Sequence, residues 1–153
     1  MTPKKIPLTQ DGLKNLEEEL KTLQDSIRPQ AVDKLQKARG MGDLSENSAY
    51  TTAREELTIL EGRIQELQEV IRNAEIVNNH NLSQVGIGTQ VTVEINNNIE
   101  DLHVVGEFEA DPMNKKLSHT SPIGQALVGK KVGDVIEIEI PSGRIKYKIL
   151  AIK

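Results

Sequence analysis

The chain has two halves that differ in the spacing of their hydrophobic positions. Between residues 10 and 78 these positions recur at alternating three- and four-residue steps, which is typical of amphipathic helices packed against each other. Two stripes have this spacing: Leu13, Leu16, Leu20, Leu23, Ile27, Leu35 and Ala38, followed by Tyr50, Ala53, Leu57, Leu60, Ile64, Leu67, Ile71 and Ala74. Pro29 interrupts the first stripe, and because proline lacks a backbone N–H, we predict a kink or short break there.

The connection between the two predicted helices is short, at residues 40–46, and contains two glycines. Glycine tolerates the positive φ angles that end helices, so Gly40 and Gly42 suit a turn. Because so short a connection forces neighbouring helices to run antiparallel, the sequence predicts a coiled-coil hairpin. A helix of about 30 residues would give an arm of roughly 45 Å.

The second half, from residue 79, has the period of two that is typical of strands. Alternation predicts strands at 90–95, 101–105, 135–140 and 144–152, and SPIGQALVG has a serine cap, a proline at the first helical position and a terminating glycine. The predicted class is α+β, with two domains. Residues 1–78 form an antiparallel coiled-coil hairpin with a functional tip at 40–50, and residues 79–153 form a small antiparallel-sheet domain with one short helix.

Composition narrows the classes of function. The chain has no cysteine, which excludes a disulfide scaffold and thiolate metal sites, and no apolar run approaches the ~20 residues needed to span a bilayer. The N-terminus lacks the apolar segment of a secretory signal, so we expect a cytoplasmic protein. With a net charge of −4, the chain is a poor candidate for independent binding to duplex nucleic acid. Any nucleic-acid role should be local or exercised inside a partner.

Two carboxylates, Asp43 and Glu46, lie in the connection between the helices, and they have two interpretations. Asp43 and Glu46 could form an acidic capping box for the second helix, a purely structural role that the helix dipole also favours. Alternatively, they could offer oxygen ligands to Mg²⁺, which usually takes one or two carboxylates together with phosphates and water. Two acids alone would hold the ion weakly, so that site would need ligands from a partner.

Several motifs together indicate a family. The chain contains ARGMGDLSENSAY, AREE and EGRI in the predicted hairpin, and FEADP, SPIGQALVGKKVGD and a PSG turn in the second half. In these segments it resembles the bacterial Gre transcript-cleavage factors, more closely their A type, over nearly its full length. The resemblance implies an FKBP-like second domain. It also implies a factor that binds RNA polymerase and inserts its coiled coil through the secondary channel, near the 3′ end of the nascent RNA.

The resemblance also implies roles for particular residues at the tip. Asp43 and Glu46 would help to place a second Mg²⁺ and a water at the polymerase active site, so that backtracked RNA is cleaved. Arg39 and Arg54 would contact RNA or polymerase. Apart from the resemblance, Asn47 could join them in that contact or orient Glu46 or a water, or it could be only a polar residue of the helix's first turn. The polymerase would own the catalytic centre, so the factor would not itself be an enzyme and would hold no metal when free.

Outside the tip, the resemblance places a polymerase-docking surface around Asp111, Ser121 and Pro122. We also expect a monomer that does not act at a membrane. Where many members carry a further acid just before the tip tyrosine, this chain has Ala49, which weakens the local negative potential. The dense basic patch of the B type is absent, which favours the A type.

Two other functions remain open from the sequence alone. A coiled-coil interaction protein or chaperone could use the same hairpin without any role for the tip acids. A Gre-like inhibitor would occupy the polymerase channel without promoting cleavage.

Overall fold

The computed structural model describes residues 4–43, 46–77 and 81–153. In chain order the elements are β1 (Ile6–Leu8), α1 (Gln10–Thr22), a π-helical turn (Leu23–Ile27), α2 (Arg28–Arg39), α3 (Ser48–Arg72), β2 (Ala74–Ile76), β3 (Gln90–Ile95), β4 (Asn98–Val105), β5 (Lys116–Ser118), α4 (Pro122–Leu127), β6 (Val135–Ile140) and β7 (Gly143–Ile152). Two 3₁₀ turns, Glu107–Glu109 and Pro112–Asn114, lie between β4 and β5. The described chain divides into two compact units: a hairpin unit of residues 14–73, and a sheet unit of residues 4–13, 74–77 and 81–153.

The helices of the hairpin unit run antiparallel, as the short connection predicts. Ion pairs join Lys34 to Glu56 at 2.8 Å, Arg28 to Glu61 at 3.0 Å and Glu19 to Arg63 at 2.9 Å. As the first partner moves towards the N-terminus, the second moves towards the C-terminus, which only antiparallel neighbours allow. The hydrogen bonds from Arg63 to Glu19 hold the pKa of the Arg63 guanidinium above its ordinary value.

The apolar contacts of the hairpin follow the predicted stripes in most positions. Its buried side chains are Leu16, Ala38, Ala53, Ile64, Leu67 and Val70. Val70 lies outside the predicted stripe, and α3 ends at Arg72, so Ala74 belongs to β2 instead of the helix.

Pro29 produces a π-helical turn in place of a sharp break. The backbone N–H of Arg28 donates to the carbonyl of Leu23, five residues earlier, and α2 begins directly afterwards with Pro29 in its first turn. A proline ring crowds the carbonyl four residues before it, and the wider turn accommodates that crowding. The extra residue in the turn rotates the apolar stripe, so Ile27 is 41% exposed although its spacing predicts a packed position.

The sheet unit contains a five-stranded sheet in the order β5-β4-β3-β7-β6. The predicted strands β3 and β6 have the observed bounds, and β3 pairs antiparallel with both β4 and β7. Asn96 and Asn97 both have positive φ, as a two-residue hairpin turn between β3 and β4 requires. The sheet is mixed, because β5 runs parallel to β4, and a separate two-stranded sheet pairs β1 with β2 in parallel.

The core of the sheet unit lies where α4 packs against the sheet. Val91, Val93, Val104, Leu127 and Ile149 are fully buried there. The short helix has the predicted ends: Ser121 accepts a hydrogen bond from the backbone N–H of Gly124, and Gly129 follows with a φ of +84°.

The start of α1 belongs to the sheet unit, although the sequence pattern groups residues 1–13 with the hairpin. Thr9 caps α1 by accepting from the backbone N–H of Gly12 at 3.0 Å. The carboxylate of Glu109 in turn accepts from the backbone N–H groups of Thr9 and Gly106, at 2.9 and 3.0 Å, and from the Thr9 hydroxyl. Strands of three residues are too short to show a period in the sequence, and a contact between a carboxylate and a distant residue leaves no local pattern.

A candidate functional site at the hairpin turn

The turn of the hairpin starts where α2 ends, after Arg39. The backbone N–H of Met41 donates to the carbonyl of Ala38 at 3.1 Å, and Gly42 then adopts a φ of +134°. Only glycine enters that region without strain, so Gly42 allows the chain to leave the helix. Met41 is 72% exposed and lies beside the start of the turn.

The second helix of the hairpin is capped by Asn47, and the predicted capping role of Asp43 is wrong. The Asn47 side-chain oxygen accepts from the backbone N–H of Tyr50 at 3.0 Å, and α3 begins at Ser48. Asp43 lies four residues before this cap, outside the first turn. The predicted capping box starts the helix too early, because it requires Ser45 and Glu46 to be helical. In the structure, Glu46 lies in a turn before the cap.

Asp43 and Glu46 are both exposed in this turn. The backbone N–H of Glu46 donates to the carbonyl of Asp43 at 3.3 Å, which ties the two acidic residues together through the main chain. Within the part of the chain that the structure describes, no group of three or more histidine, cysteine or acidic side chains could hold a metal ion. These two carboxylates could therefore contribute to a Mg²⁺ site only with oxygen ligands from elsewhere.

The basic residues near the turn fall into two groups. Lys34 and Lys37 are engaged in exposed ion pairs, Lys34 with Glu56 across the hairpin and Lys37 with Asp33 on its own helix. Such exposed pairs contribute little stability.

Arg39 and Arg54 form the second group, and neither has an ion pair among the described residues. The guanidinium of Arg39 lies 5.9 Å from the centroid of the Tyr50 ring, within the range of a cation–π contact that joins α2 to α3. Arg54 lines an open cavity of about 530 Å³ together with Tyr50 and Ile59. Tyr50 is half-buried, in agreement with its place in the predicted stripe.

In the sheet unit, Asp111 and Ser121 lie on opposite sides of β5 along the chain, and both shape the backbone. The backbone N–H and carbonyl of Asp111 exchange hydrogen bonds with Lys116, at 2.9 and 3.0 Å. Its carboxylate accepts from the side-chain amide of Asn114. Because β5 has three residues, the two predicted docking positions are separated by a strand about 10 Å long.

Ser121 caps α4 and also closes the loop that precedes it. Its hydroxyl donates to the carbonyl of Ser118 at 2.6 Å while accepting from Gly124 at 3.0 Å. Pro122, the first residue of the helix, is exposed. Of the predicted docking residues, Pro122 therefore offers free surface, whereas Ser121 is engaged in the fold.

Sequence inspection assigns no function to Glu109, although it lies inside the FEADP motif. The structure gives this carboxylate the contacts to Thr9 and Gly106 described above. The contact with Gly106 is local, but the contact with Thr9 has no local signal, since Thr9 is far away in the sequence.

The described residues define a helical-hairpin protein with an exposed acidic turn, joined in one chain to a mixed-sheet unit. Two family models match this chain: "Transcription elongation factor, N-terminal" over residues 6–76, and "Transcription elongation factor, GreA/GreB, C-term" over residues 79–153. The chain belongs to the GreA/GreB family of transcription elongation factors.

Similar proteins carry the same family name. The chain is 48% identical to "Transcription elongation factor GreA" of Thermoanaerobacter pseudethanolicus, over 98% of both chains. It is 46% identical to the protein of the same name from Clostridium kluyveri, over 98% of this chain and 97% of the relative. The crystal structure of GreA factor homolog 1 from Thermus thermophilus is 27% identical, with a TM-score of 0.47 over 98% of this chain and 99% of that one. No helix among the described residues is both long enough and apolar enough to cross a membrane.

Proposed function

We propose that this factor binds RNA polymerase, inserts its hairpin into the secondary channel and stimulates the polymerase to cleave backtracked RNA. Asp43 and Glu46 are the residues that act. The polymerase provides the catalytic centre, and the factor adds carboxylate oxygens that the centre lacks. Membership of a transcription elongation factor family supports the partner, and the turn of the hairpin supports the residues.

The observation that carries this proposal is that the helix cap and the exposed acids at the turn are different residues. Asn47 provides the N-cap of α3, while the carboxylates of Asp43 and Glu46 are exposed. Both acids therefore lie on the surface of the turn, at the end of the hairpin that the proposal inserts into the polymerase. Since α3 has 25 residues, a rise of 1.5 Å each gives a rigid arm of about 38 Å behind them.

The two carboxylates fit the ligand preference of Mg²⁺, a hard cation that takes oxygen ligands and commonly keeps several waters. When bound, Mg²⁺ stabilises developing negative charge and lowers the pKa of its water. With only two acids at the turn and no larger ligand cluster among the described residues, the free factor should bind the ion too weakly for function. The ion is thus shared with the polymerase, and insertion of the turn completes the site.

The remaining candidate residues have supporting roles in this proposal. Arg39 and Arg54 present positive charge on the helices that flank the turn, where a guanidinium can bind a phosphate of the RNA through two parallel hydrogen bonds. Pro122, together with Asp111 and Ser121, provides a docking surface for the outer rim of the channel. The factor acts as a monomer in the cytoplasm.

The experiment is RNA cleavage in a stalled, backtracked polymerase complex with and without the factor. We expect the parent protein to stimulate cleavage, and Asp43→Asn or Glu46→Gln to reduce the stimulated rate about 10- to 100-fold. Both variants should bind polymerase with parental affinity. Glu69→Gln, which removes an exposed acid elsewhere on α3, is the matched control and should stimulate normally.

The same assay separates the competing functions. Inhibition of elongation without cleavage would identify a channel-blocking factor, and absence of any effect on the stalled complex would leave only the interaction or chaperone function. If both acid variants stimulate cleavage as the parent does, the donation of carboxylates is refuted. Isothermal titration of the free factor with Mg²⁺ provides a second check, because tight stoichiometric binding would contradict a shared site.

A further inference from the structure

Asn47 connects the two helices of the hairpin through a single side chain. Its amide oxygen accepts from the backbone N–H of Tyr50 in the first turn of α3, at 3.0 Å. Its amide nitrogen donates to the carbonyl of Ala38 in the last turn of α2, at 2.6 Å. One half-buried side chain therefore satisfies a free N–H at the start of one helix and bonds to a C=O at the end of the other, which also accepts from the backbone N–H of Met41.

These two bonds fix both ends of the turn that carries the acids. Ala38 precedes the turn and Asn47 follows it, so the bond between them holds the two ends of the connection together. Glu46 is the immediate neighbour of Asn47, and its backbone N–H is bonded to Asp43. We therefore expect a change in the position of Asn47 to move both acidic residues relative to α2.

The chemistry of both bonds requires an amide. An aspartate at this position could accept from Tyr50 but could not donate to Ala38, and would place a negative charge near a carbonyl oxygen. A serine could cap the helix, but its side chain is shorter by one bond and has a single donor. Asparagine is the smallest side chain that donates and accepts at once from well-separated atoms.

We propose that Asn47 is a positioning residue, which sets the placement of Asp43 and Glu46 by tying α3 to α2. The proposal rests on the proposed function of those acids. It assigns the bond to Ala38, and not the helix cap, as the contribution that cleavage requires. It also differs from direct contact of Asn47 with nucleic acid or polymerase, which would make its loss a loss of affinity.

The test compares Asn47→Ser and Asn47→Asp, which both keep a capping oxygen, with the parent in the cleavage assay. We expect the maximal stimulated rate to fall about tenfold in both variants, with polymerase affinity in a competition assay unchanged within about twofold. The Mg²⁺ concentration for half-maximal cleavage should rise. Ser48→Ala is the control, because Ser48 is exposed, adjacent and without a side-chain hydrogen bond among the described contacts.

Hydrogen exchange at the Tyr50 amide shows whether each variant retains the cap. We expect protection of this amide in Asn47→Ser and Asn47→Asp and loss of it in Asn47→Ala. Parental cleavage rates in the two capped variants would overturn the proposal, as would a loss of affinity that matches the loss of rate. In a Glu46→Gln background, a further full tenfold loss from Asn47→Ser would also overturn it, since positioning acts through the acids.

A failure of this proposal is distinguishable from a failure of the proposed function. If the parent factor does not stimulate cleavage, the function itself is refuted. If the parent stimulates and the capped variants do so equally, only the role of Asn47 is refuted.

Discussion

Gly124, in the first turn of α4, allows this helix to approach the backbone at the end of β5. A Cβ atom at this position would overlap the carbonyl oxygen of Ser118, and would lie 2.9 Å from its carbonyl carbon and 3.0 Å from the Cα of His119. All of these atoms belong to the main chain, so no flexible side chain can move aside. Gly124→Ala should therefore displace either the helix or the end of the strand.

The size of this effect follows from the contacts around Ser118. Overpacking a tight site costs about 1–3 kcal/mol. The Ser118 carbonyl also accepts from the Ser121 hydroxyl, and Ser121 caps α4, so displacement weakens a cap that contributes about 1 kcal/mol. We expect Gly124→Ala to lower the free energy of unfolding of the sheet unit by about 2–4 kcal/mol.

The matched control is Gly62→Ala on α3. An added Cβ at Gly62 has nothing within 4 Å, and its φ is ordinary, so only the conformational effect remains. Replacing an exposed helical glycine by alanine stabilises by about 0.5–1 kcal/mol. The same substitution should therefore have opposite signs at the two positions.

Urea unfolding measures both effects if each unit has its own signal. Tyr147 is buried in the sheet unit and Tyr50 lies in the hairpin unit, so tyrosine fluorescence in a Tyr50→Phe background follows the sheet unit alone. Far-UV circular dichroism follows the helices of the hairpin. A change below about 0.5 kcal/mol in Gly124→Ala, within the range of ordinary surface substitutions, would refute the steric argument.

Two further predictions concern side chains of the sheet unit. Burial, followed by the nearby charge of Glu100, raises the pKa of Tyr147 above its ordinary value of 10.0, so the folded state keeps the phenol proton at pH values where the unfolded state loses it. The contribution of this group to stability should therefore be fully present below pH 10 and be lost as the pH rises through the folded pKa. Absorbance at 295 nm in Tyr50→Phe should show this late titration of Tyr147. A titration midpoint at or below pH 10 would contradict the prediction. Glu109→Gln leaves one acceptor oxygen for the three donors that the carboxylate now satisfies, which are the Thr9 N–H, the Thr9 hydroxyl and the Gly106 N–H. The substitution should destabilise the sheet unit by about 1–3 kcal/mol in urea unfolding. Parental stability would show that these hydrogen bonds make no net contribution to stability.

Periodic features of the molecule are predictable from the sequence, because period and turn chemistry act locally. The strict alternation of 135–140 gives β6 its bounds, and the asparagine pair at 96 and 97 gives the turn between β3 and β4. Ser121 and Pro122 likewise predict the start of α4. In each case the residues that determine the element are the residues inside it.

Features that depend on distant partners escape the same inspection. The parallel pairing of β1 with β2 joins segments almost seventy residues apart, and β5 is too short to show alternation. The exposure of Ile27 results from the π-helical turn that Pro29 imposes, which shifts a stripe that looks regular in the sequence. The contact between Glu109 and Thr9 is of the same kind, since its two partners meet only after the sheet unit has folded.

The candidate site is determined partly by local sequence and partly by distant contacts, and Asn47 is the residue that shows this. The local sequence indicates that a polar residue caps α3, but the Asp-Leu-Ser-Glu segment matches a capping box and so predicts Asp43 as the cap. The bond from Asn47 to Ala38 depends on the antiparallel packing of α2 and α3, so the true cap is decided by tertiary structure. With Asn47 as the N-cap of α3, neither acid is that cap. If the acids are kept for a partner, Asp43→Asn and Glu46→Gln should leave the unfolding of the hairpin nearly unchanged, whereas Asn47→Ala should cost about 1 kcal/mol or more. Equal losses of stability in all three variants would return the acids to a structural role and remove the main support for their donation to polymerase.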